Sequence, residues 1–247
     1  MTSPPALNSL ELTGRAATHV VAVEGLPVLL HRDVVAPFTA LRAAASQAGI
    51  ALLPVSGYRD FERQRQIWNG KYRGERELLD AQGRTLQAAS LAPPALVEAI
   101  LTWSALPGAS RHHWGTELDV IDAAALAPGA RARLVPEEFA PQGVFARLEQ
   151  WLAAHAADYG FYRPYRADRG GVQPEPWHLS YGPIADGAMQ ALTPRLLEEA
   201  LAGAGLEAEA QVLAVLPQIY RRYVLNVEPV SAAALAAVAV SPPSRPS

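Results

Sequence analysis

Cysteine is missing from all 247 residues of this chain. Disulfides and thiolate metal sites are excluded with it, so any metal must be held by His, Asp or Glu. The same absence suits an oxidising or a reducing compartment equally. Charge of one sign is also scarce in excess. The formal net charge is −3, and no basic patch or stripe of the kind that binds nucleic acid is visible. No apolar run approaches the length of a bilayer span; the stretch Val230 to Val240 is apolar but short, and Pro242-Pro243 follows it. The first twenty residues lack the charged start and apolar core of a secretory signal. The expectation is a soluble protein, cytoplasmic if this is the natural start and periplasmic if a leader was removed. Internal repeats are absent.

What remains is half hydrophobic and 18% charged, enough for one sizeable core with a small appendage. Val35, Phe38, Leu41 and Ala45 recur at helical spacing, which predicts a helix from about Arg32 to Ala48, stopped by Gly49. Ile50 to Ser56 suits a buried strand. Gly57 then turns the chain, and Asp60 is placed to cap a polar helix over Phe61 to Asn69. Lys71 to Leu91 is charged and aperiodic, and reads as a surface excursion or a lid. Pro93-Pro94 opens a helix over Ala95 to Trp103. Leu106 to Trp114 is loop-like, and Thr116 to Ile121 alternates as a half-buried strand does. Gly143 to Ala157 is an amphipathic helix, with Phe145, Leu148, Trp151 and Leu152 on one face. Tyr159 to Gly171 reads as a shaped loop or short strands, and Trp177 to Tyr181 as a strand. Helices follow over Pro194 to Ala202 and Glu207 to Tyr223. The pattern predicts one α+β domain over residues 31–228, with a small central antiparallel sheet packed by helices. An N-terminal extension, 1–30, precedes it and a mobile Pro/Ser-rich tail, 229–247, follows.

Two segments concentrate metal-binding groups. Ser110-Arg-His112-His113-Trp-Gly115-Thr-Glu117-Leu-Asp119 is one, and Glu175-Pro-Trp177-His178 is the other. Together they offer three histidines and three carboxylates. A catalytic zinc takes three protein ligands and keeps one position open. His112 and Asp119 are too far apart for adjacent turns of one helix. They suit a loop followed by a strand, with Gly115 turning the chain so that both can converge. Glu175 and His178 share one short segment, which would set a carboxylate beside a ligand, where a general base belongs. Each residue also has a plain structural reading. Asp119 would then be a turn or cap residue, Glu175 a solvated loop carboxylate, His113 a group behind the ligands, and Trp114 and Trp177 core aromatics.

The pattern Ser110-x-His112-x-x-Gly115-x-x-x-Asp119, followed by Glu175-x-x-His178, resembles the active-site motif of the VanY/VanX-type zinc D-Ala-D-Ala peptidases. Upstream, Ser56-Gly57-Tyr58-Arg59-Asp60-Phe61-Glu62-Arg63-Gln64 is similar to that family's SGYR…Q motif. The resemblance implies a VanY/VanX-like, hedgehog-type zinc peptidase fold with its zinc site at the sheet. It implies zinc on His112, Asp119 and His178, and Glu175 as catalytic base and acid. Arg59 would contact the scissile carbonyl or the terminal carboxylate, and Ser110 and Gln64 would help hold that carboxylate. Tyr58 and Trp177 are candidates for the pocket wall. Glu117 departs from the family, where many relatives carry a small residue or Asp; it would face outward or narrow the site. The implied activity is a carboxypeptidase removing a C-terminal D-Ala from peptidoglycan stem peptides, D,D- or L,D-specific. The alternatives are an endolysin-type endopeptidase and an inactive zinc domain used for binding.

Overall fold

The computed structural model describes residues 6–237. Helix α1 (Ser9–Leu12) opens the chain, with Asn8 and Glu11 forming a reciprocal capping box. A hairpin of β1 (Val20–Ala22) and β2 (Leu29–His31) follows. Helix α2 (Val35–Gln47) buries Phe38, Leu41 and Ala45, as their spacing predicts. After β3 (Leu52–Ser56), Asp60 caps α3 (Phe61–Tyr72) by accepting from the Arg63 amide at 2.6 Å. The polar excursion holds a small hairpin of β4 (Leu78–Leu79) and β5 (Thr85–Leu86). Helix α4 (Pro93–Trp103) leads through a loop to β6 (Glu117–Asp122). Helices α5 (Pro136–Phe139) and α6 (Ala146–His155) precede β7 (Phe161–Tyr162) and β8 (His178–Tyr181). Helices α7 (Gly182–Ala191), α8 (Pro194–Leu201), α9 (Glu209–Ala214) and α10 (Leu216–Ile219) come next, and α11 (Ala232–Ala236) is last.

The central sheet is antiparallel with the order β3-β6-β8-β7, so the α+β expectation holds. Pro54 lies in edge strand β3, where a residue without an N–H is tolerated. Strand β6 is internal, and all six of its residues are buried, not half of them as alternation alone suggests. Leu118 and Val120 pack with Phe38, Leu41, Phe145 and Leu148 on one side. Each such side chain contributes about 1.5–3 kcal/mol by burial, which holds β6 rigidly in place. The opposite face of β6 carries Glu117 and Asp119, and it is closed over by the site described below. A second core gathers α3, α4, α7 and α8 around Trp68, Ile100, Trp114 and Leu197.

Three elements differ from expectation. Helix α7 lies in a stretch for which the sequence pattern predicts no element; Pro183 occupies the first turn of a helix that buries Ile184, Ala185 and Ala188. The single helix expected over Glu207 to Tyr223 is broken into α9, α10 and a π-turn at Tyr220–Val224. Pro217 cannot donate to the preceding turn, so the helix restarts there. The N-terminal residues pack closely on the rest. Leu7 and Leu12 enter the second core, and Trp114 Nε1 donates to the Leu12 carbonyl at 3.2 Å. Beyond Pro229, Ala234 is buried, while residues 238–247 of the expected tail lie outside the described residues. Among the described residues, no helix is long and apolar enough to cross a membrane.

Candidate active site

Asp119 and His178 sit directly opposite each other on adjacent antiparallel strands, β6 and β8. Opposed residues on one sheet face have Cβ atoms about 4.5–5.5 Å apart, so the ladder itself delivers two of the candidate ligands to one point. His112 arrives from a 3₁₀ turn, Arg111–Trp114, immediately before β6. Gly115 ends that turn with a φ of 67°. A Cβ there would come within 2.5 Å of Val20 and 2.7 Å of the His31 amide nitrogen, so a side chain fits neither the conformation nor the space. His112 Nε2 lies 3.5 Å from Asp119 Oδ2, and His178 Nδ1 lies 3.2 Å from Asp119 Oδ1. One donor atom from each of the three falls within 4.8 Å of the others, close enough to share one cation.

The state of these atoms fits a bound cation. His178 Nδ1 and Asp119 Oδ1 are buried with no hydrogen-bond partner, a costly condition for polar atoms. Each imidazole is also engaged at its far nitrogen. His112 Nδ1 is 2.7 Å from the Gly57 carbonyl, and His178 Nε2 is 2.7 Å from a Glu117 carboxylate oxygen. Both partners can only accept, so the ring protons sit on those nitrogens. That leaves His112 Nε2 and His178 Nδ1, the two atoms that face Asp119, as the ones open to a cation, which at His178 would take the place of a proton.

Electrostatics agree with the geometry. Burial, helped by the positive charge of Arg59, brings His112 down to about 3, so it is neutral as a ligand must be. Burial alone would raise Asp119, but His112 and His178 outweigh it and hold this carboxyl well below the usual range. Burial opposes charge on His178, yet the Asp119 and Glu117 carboxylates overcome it and push the ring up to about 10. Carboxylates that hold a proton there can hold a cation in its place. Glu175 Oε2 lies 3.4 Å from His178 Nδ1. Burial pushes the Glu175 carboxyl up to about 7, with Asp119 adding to the effect and His178 and Arg59 opposing it. A carboxyl poised near neutrality can both take and return a proton.

A cavity of about 260 Å³ opens on this cluster. Of the residues singled out from the sequence, Arg59, Ser110, His112, Asp119, Glu175, Trp177 and His178 line it. Gln64 and Tyr58 do not. Gln64 sits behind Arg59, accepting from Nη1 at 2.8 Å while its own amide donates to the Ala105 carbonyl at 2.7 Å. Ser56 Oγ accepts from Arg59 Nη2 at 3.2 Å, so the guanidinium plane is fixed from both ends. Tyr58 bonds to the Ala16 carbonyl at 3.3 Å and packs edge-on against His19, away from the cavity. His113 stands behind the site, 2.6 Å from the Arg59 carbonyl. Arg59→Lys is expected to lower kcat/KM by about two orders of magnitude despite the retained charge, because an ammonium cannot keep both braces and still present a fork. Steady-state kinetics of the variant check this, and an unchanged rate would assign Arg59 a purely structural part.

One participant was missed from sequence, and one was placed wrongly. Lys71 lines the cavity, at the end of α3. Its signal was its spacing, two helical turns from Gln64 on the same face. Glu117 is fully buried behind His178, so it neither faces outward nor narrows the cavity. Leu79, from the small hairpin, and Leu134, whose φ is 55°, add to the apolar part of the wall.

Asp119 and His178 from the sheet, His112 from the turn before it and Glu175 from the segment leading into β8 face one cavity, a donor set that could hold a metal ion beside a free carboxyl, as a hydrolase site requires. A family model described as VanY, D-alanyl-D-alanine carboxypeptidase, matches residues 27–184, more than half of the chain. The chain belongs to the VanY family of D-alanyl-D-alanine carboxypeptidases. It is 34% identical over 122 residues to an uncharacterised protein of Haemophilus influenzae, a match spanning 49% of this chain and 93% of that protein. It is 29% identical over 141 residues to a D-alanyl-D-alanine carboxypeptidase of Enterococcus faecalis, spanning 56% of this chain and 42% of that protein. A solved structure of VanYB in complex with D-alanine-D-alanine is similar at a TM-score of 0.46 and 26% identity, over 76% of this chain and 92% of that one.

Proposed function

We propose that this enzyme is a zinc carboxypeptidase that hydrolyses the C-terminal D-Ala from peptidoglycan stem peptides. The observation that carries the reading is the placement of Glu175, a near-neutral carboxyl 3.4 Å from a ligand nitrogen that has no hydrogen-bond partner. Two imidazoles and one carboxylate, with no thiolate, suit zinc and leave a coordination position free. Zinc bound there would polarise the scissile carbonyl and make the attacking water more acidic. The chain's own residues do the rest. Glu175 takes the water proton and passes it to the leaving nitrogen. Arg59, braced by Gln64 and Ser56, offers two N–H groups to the carbonyl oxygen as charge develops on it. Ser110 and Trp177 bound the substrate beside these groups.

Lys71 supplies the preference for a chain end. No described carboxylate comes within ion-pair distance of its ammonium, and Glu175 is the negative group that acts on it most strongly. Burial holds its pKa below the ordinary value, so a substrate anion would complete its surroundings. The carboxylate of the departing residue lies on the Glu175 side of the scissile bond, because Glu175 protonates that nitrogen. Lys71→Met is therefore expected to raise KM about 10- to 100-fold for a free-acid peptide and to leave the KM of the corresponding C-terminal amide unchanged. An equal change for both peptides would remove Lys71 from this role. A cation reserved for a terminal carboxylate favours a carboxypeptidase over an endopeptidase, and Glu175 beside a complete ligand set favours catalysis over a binding-only domain. In the cytoplasm the substrates would be precursors or recycled fragments. Incubation with defined tetra- and pentapeptides, followed by mass spectrometry, is expected to show loss of one terminal D-Ala and to separate L,D- from D,D-specificity. Internal cleavage, or none by the zinc-loaded protein, would contradict the proposal.

A further inference from the structure

We infer that Glu117 is a positioning residue for the metal, acting through His178, a role that rests on the proposed cation at His112, Asp119 and His178. The two oxygens of its carboxylate are used differently. Oε1 accepts from Ser180 Oγ at 2.7 Å and Thr116 Oγ1 at 2.9 Å, and lies 3.3 Å from Arg111 Nη2. Oε2 accepts from His178 Nε2 alone, at 2.7 Å. One oxygen is thus anchored to the sheet, and the other is dedicated to a ligand.

Burying a carboxylate completely, as here, is strongly unfavourable unless it is paired and hydrogen-bonded. Arg111 provides the pairing. It is itself buried, bonded to Tyr162 and Ser180, and stacked 4.7 Å from the Trp114 ring. A pair kept only to tie β6 to β8 would need no oxygen turned toward an imidazole. As placed, the carboxylate can only accept, so it keeps a ring proton on Nε2, fixes the ring plane and leaves Nδ1, on the Asp119 side, as the atom that would bind the metal. It also adds electron density to the ring that must bind a dication.

Glu117→Gln keeps the shape but can donate as well as accept, so it no longer dictates which nitrogen carries the proton. Glu117→Asp keeps the charge beside Arg111 but draws the oxygen back from His178 by one methylene. The whole 247-residue chain, wild type and both variants, would be stripped of metal and titrated with zinc against a chromophoric chelator, with the melting temperature of each metal-free protein measured in parallel. Both variants are expected to bind zinc about 10- to 100-fold more weakly than wild type, with altered visible spectra after cobalt substitution. A zinc Kd within twofold of wild type in a variant that folds would overturn the inference and leave Glu117 as Arg111's partner only. Should one variant fail to fold, the other decides by the same criterion. Failure of the wild type itself to bind zinc would instead sink the metal-site reading on which this one stands.

Discussion

Glu175→Ala is expected to keep its zinc and to lose about 10²–10⁴-fold in kcat. Glu175 is not among the three converging donors; it sits one residue-turn away, 3.4 Å from His178 Nδ1. Its removal takes away the proton carrier and leaves the cation cradle. Metal content by atomic absorption and single-turnover kinetics check the two halves separately. Loss of zinc would make Glu175 a ligand, and near-normal turnover would hand the proton to another group. The wild-type pH profile carries a linked signature. Only the carboxylate can accept a proton, so activity is expected to rise with pH as Glu175 deprotonates. Burial sets that step at about 7 in the metal-free site, and a bound dication, which favours the charged form, lowers it. The acidic limb should disappear from the residual activity of Glu175→Ala.

The second large effect is expected from His178→Ala, which should lose both metal and activity. His178 contributes a buried donor with no other partner, and it faces Asp119 across the strand pair. Its loss also strands the Glu117 carboxylate, fully buried and short of one hydrogen bond. Zinc affinity should therefore fall by more than the roughly 10- to 100-fold that follows removal of an outer partner. Equilibrium dialysis against zinc measures it. A variant with wild-type zinc stoichiometry and affinity would exclude His178 from coordination.

The two segments that carry His112, Asp119, Glu175 and His178 were legible as metal-binding candidates because each is short and locally coded, while the choice among their three histidines and three carboxylates came from the family motif. Gly115 marks the turn, Asp119 alternates with Leu118 and Val120, and His178 starts a short buried strand. Registration of β6 against β8 was not legible, since strand pairing depends on contacts remote in the chain. The same ignorance hid Glu117. Its face follows from the period of two that places it with Asp119, but its burial follows only from β6 lying inside the sheet. Tyr58 and Gln64 were brought toward the substrate by their motif, whereas the fold sets them behind the guanidinium and against the N-terminal segment. Pro217 shows the reverse case, a local signal present in the sequence and underweighted against a long helical period. Lys71 was obscured by the polarity of the segment it opens, although its spacing from Gln64 placed it on the same face of α3.

Catalysis as proposed requires two imidazoles and one carboxylate to close around a single divalent ion. Crystals of the zinc-loaded protein, with anomalous data collected on both sides of the zinc edge, test this directly. One strong peak is expected within bonding distance of His112 Nε2, His178 Nδ1 and the Asp119 carboxylate, with Glu175 beside it and not bound. A peak held by other residues, or none in protein shown to contain zinc, would exclude this metal site.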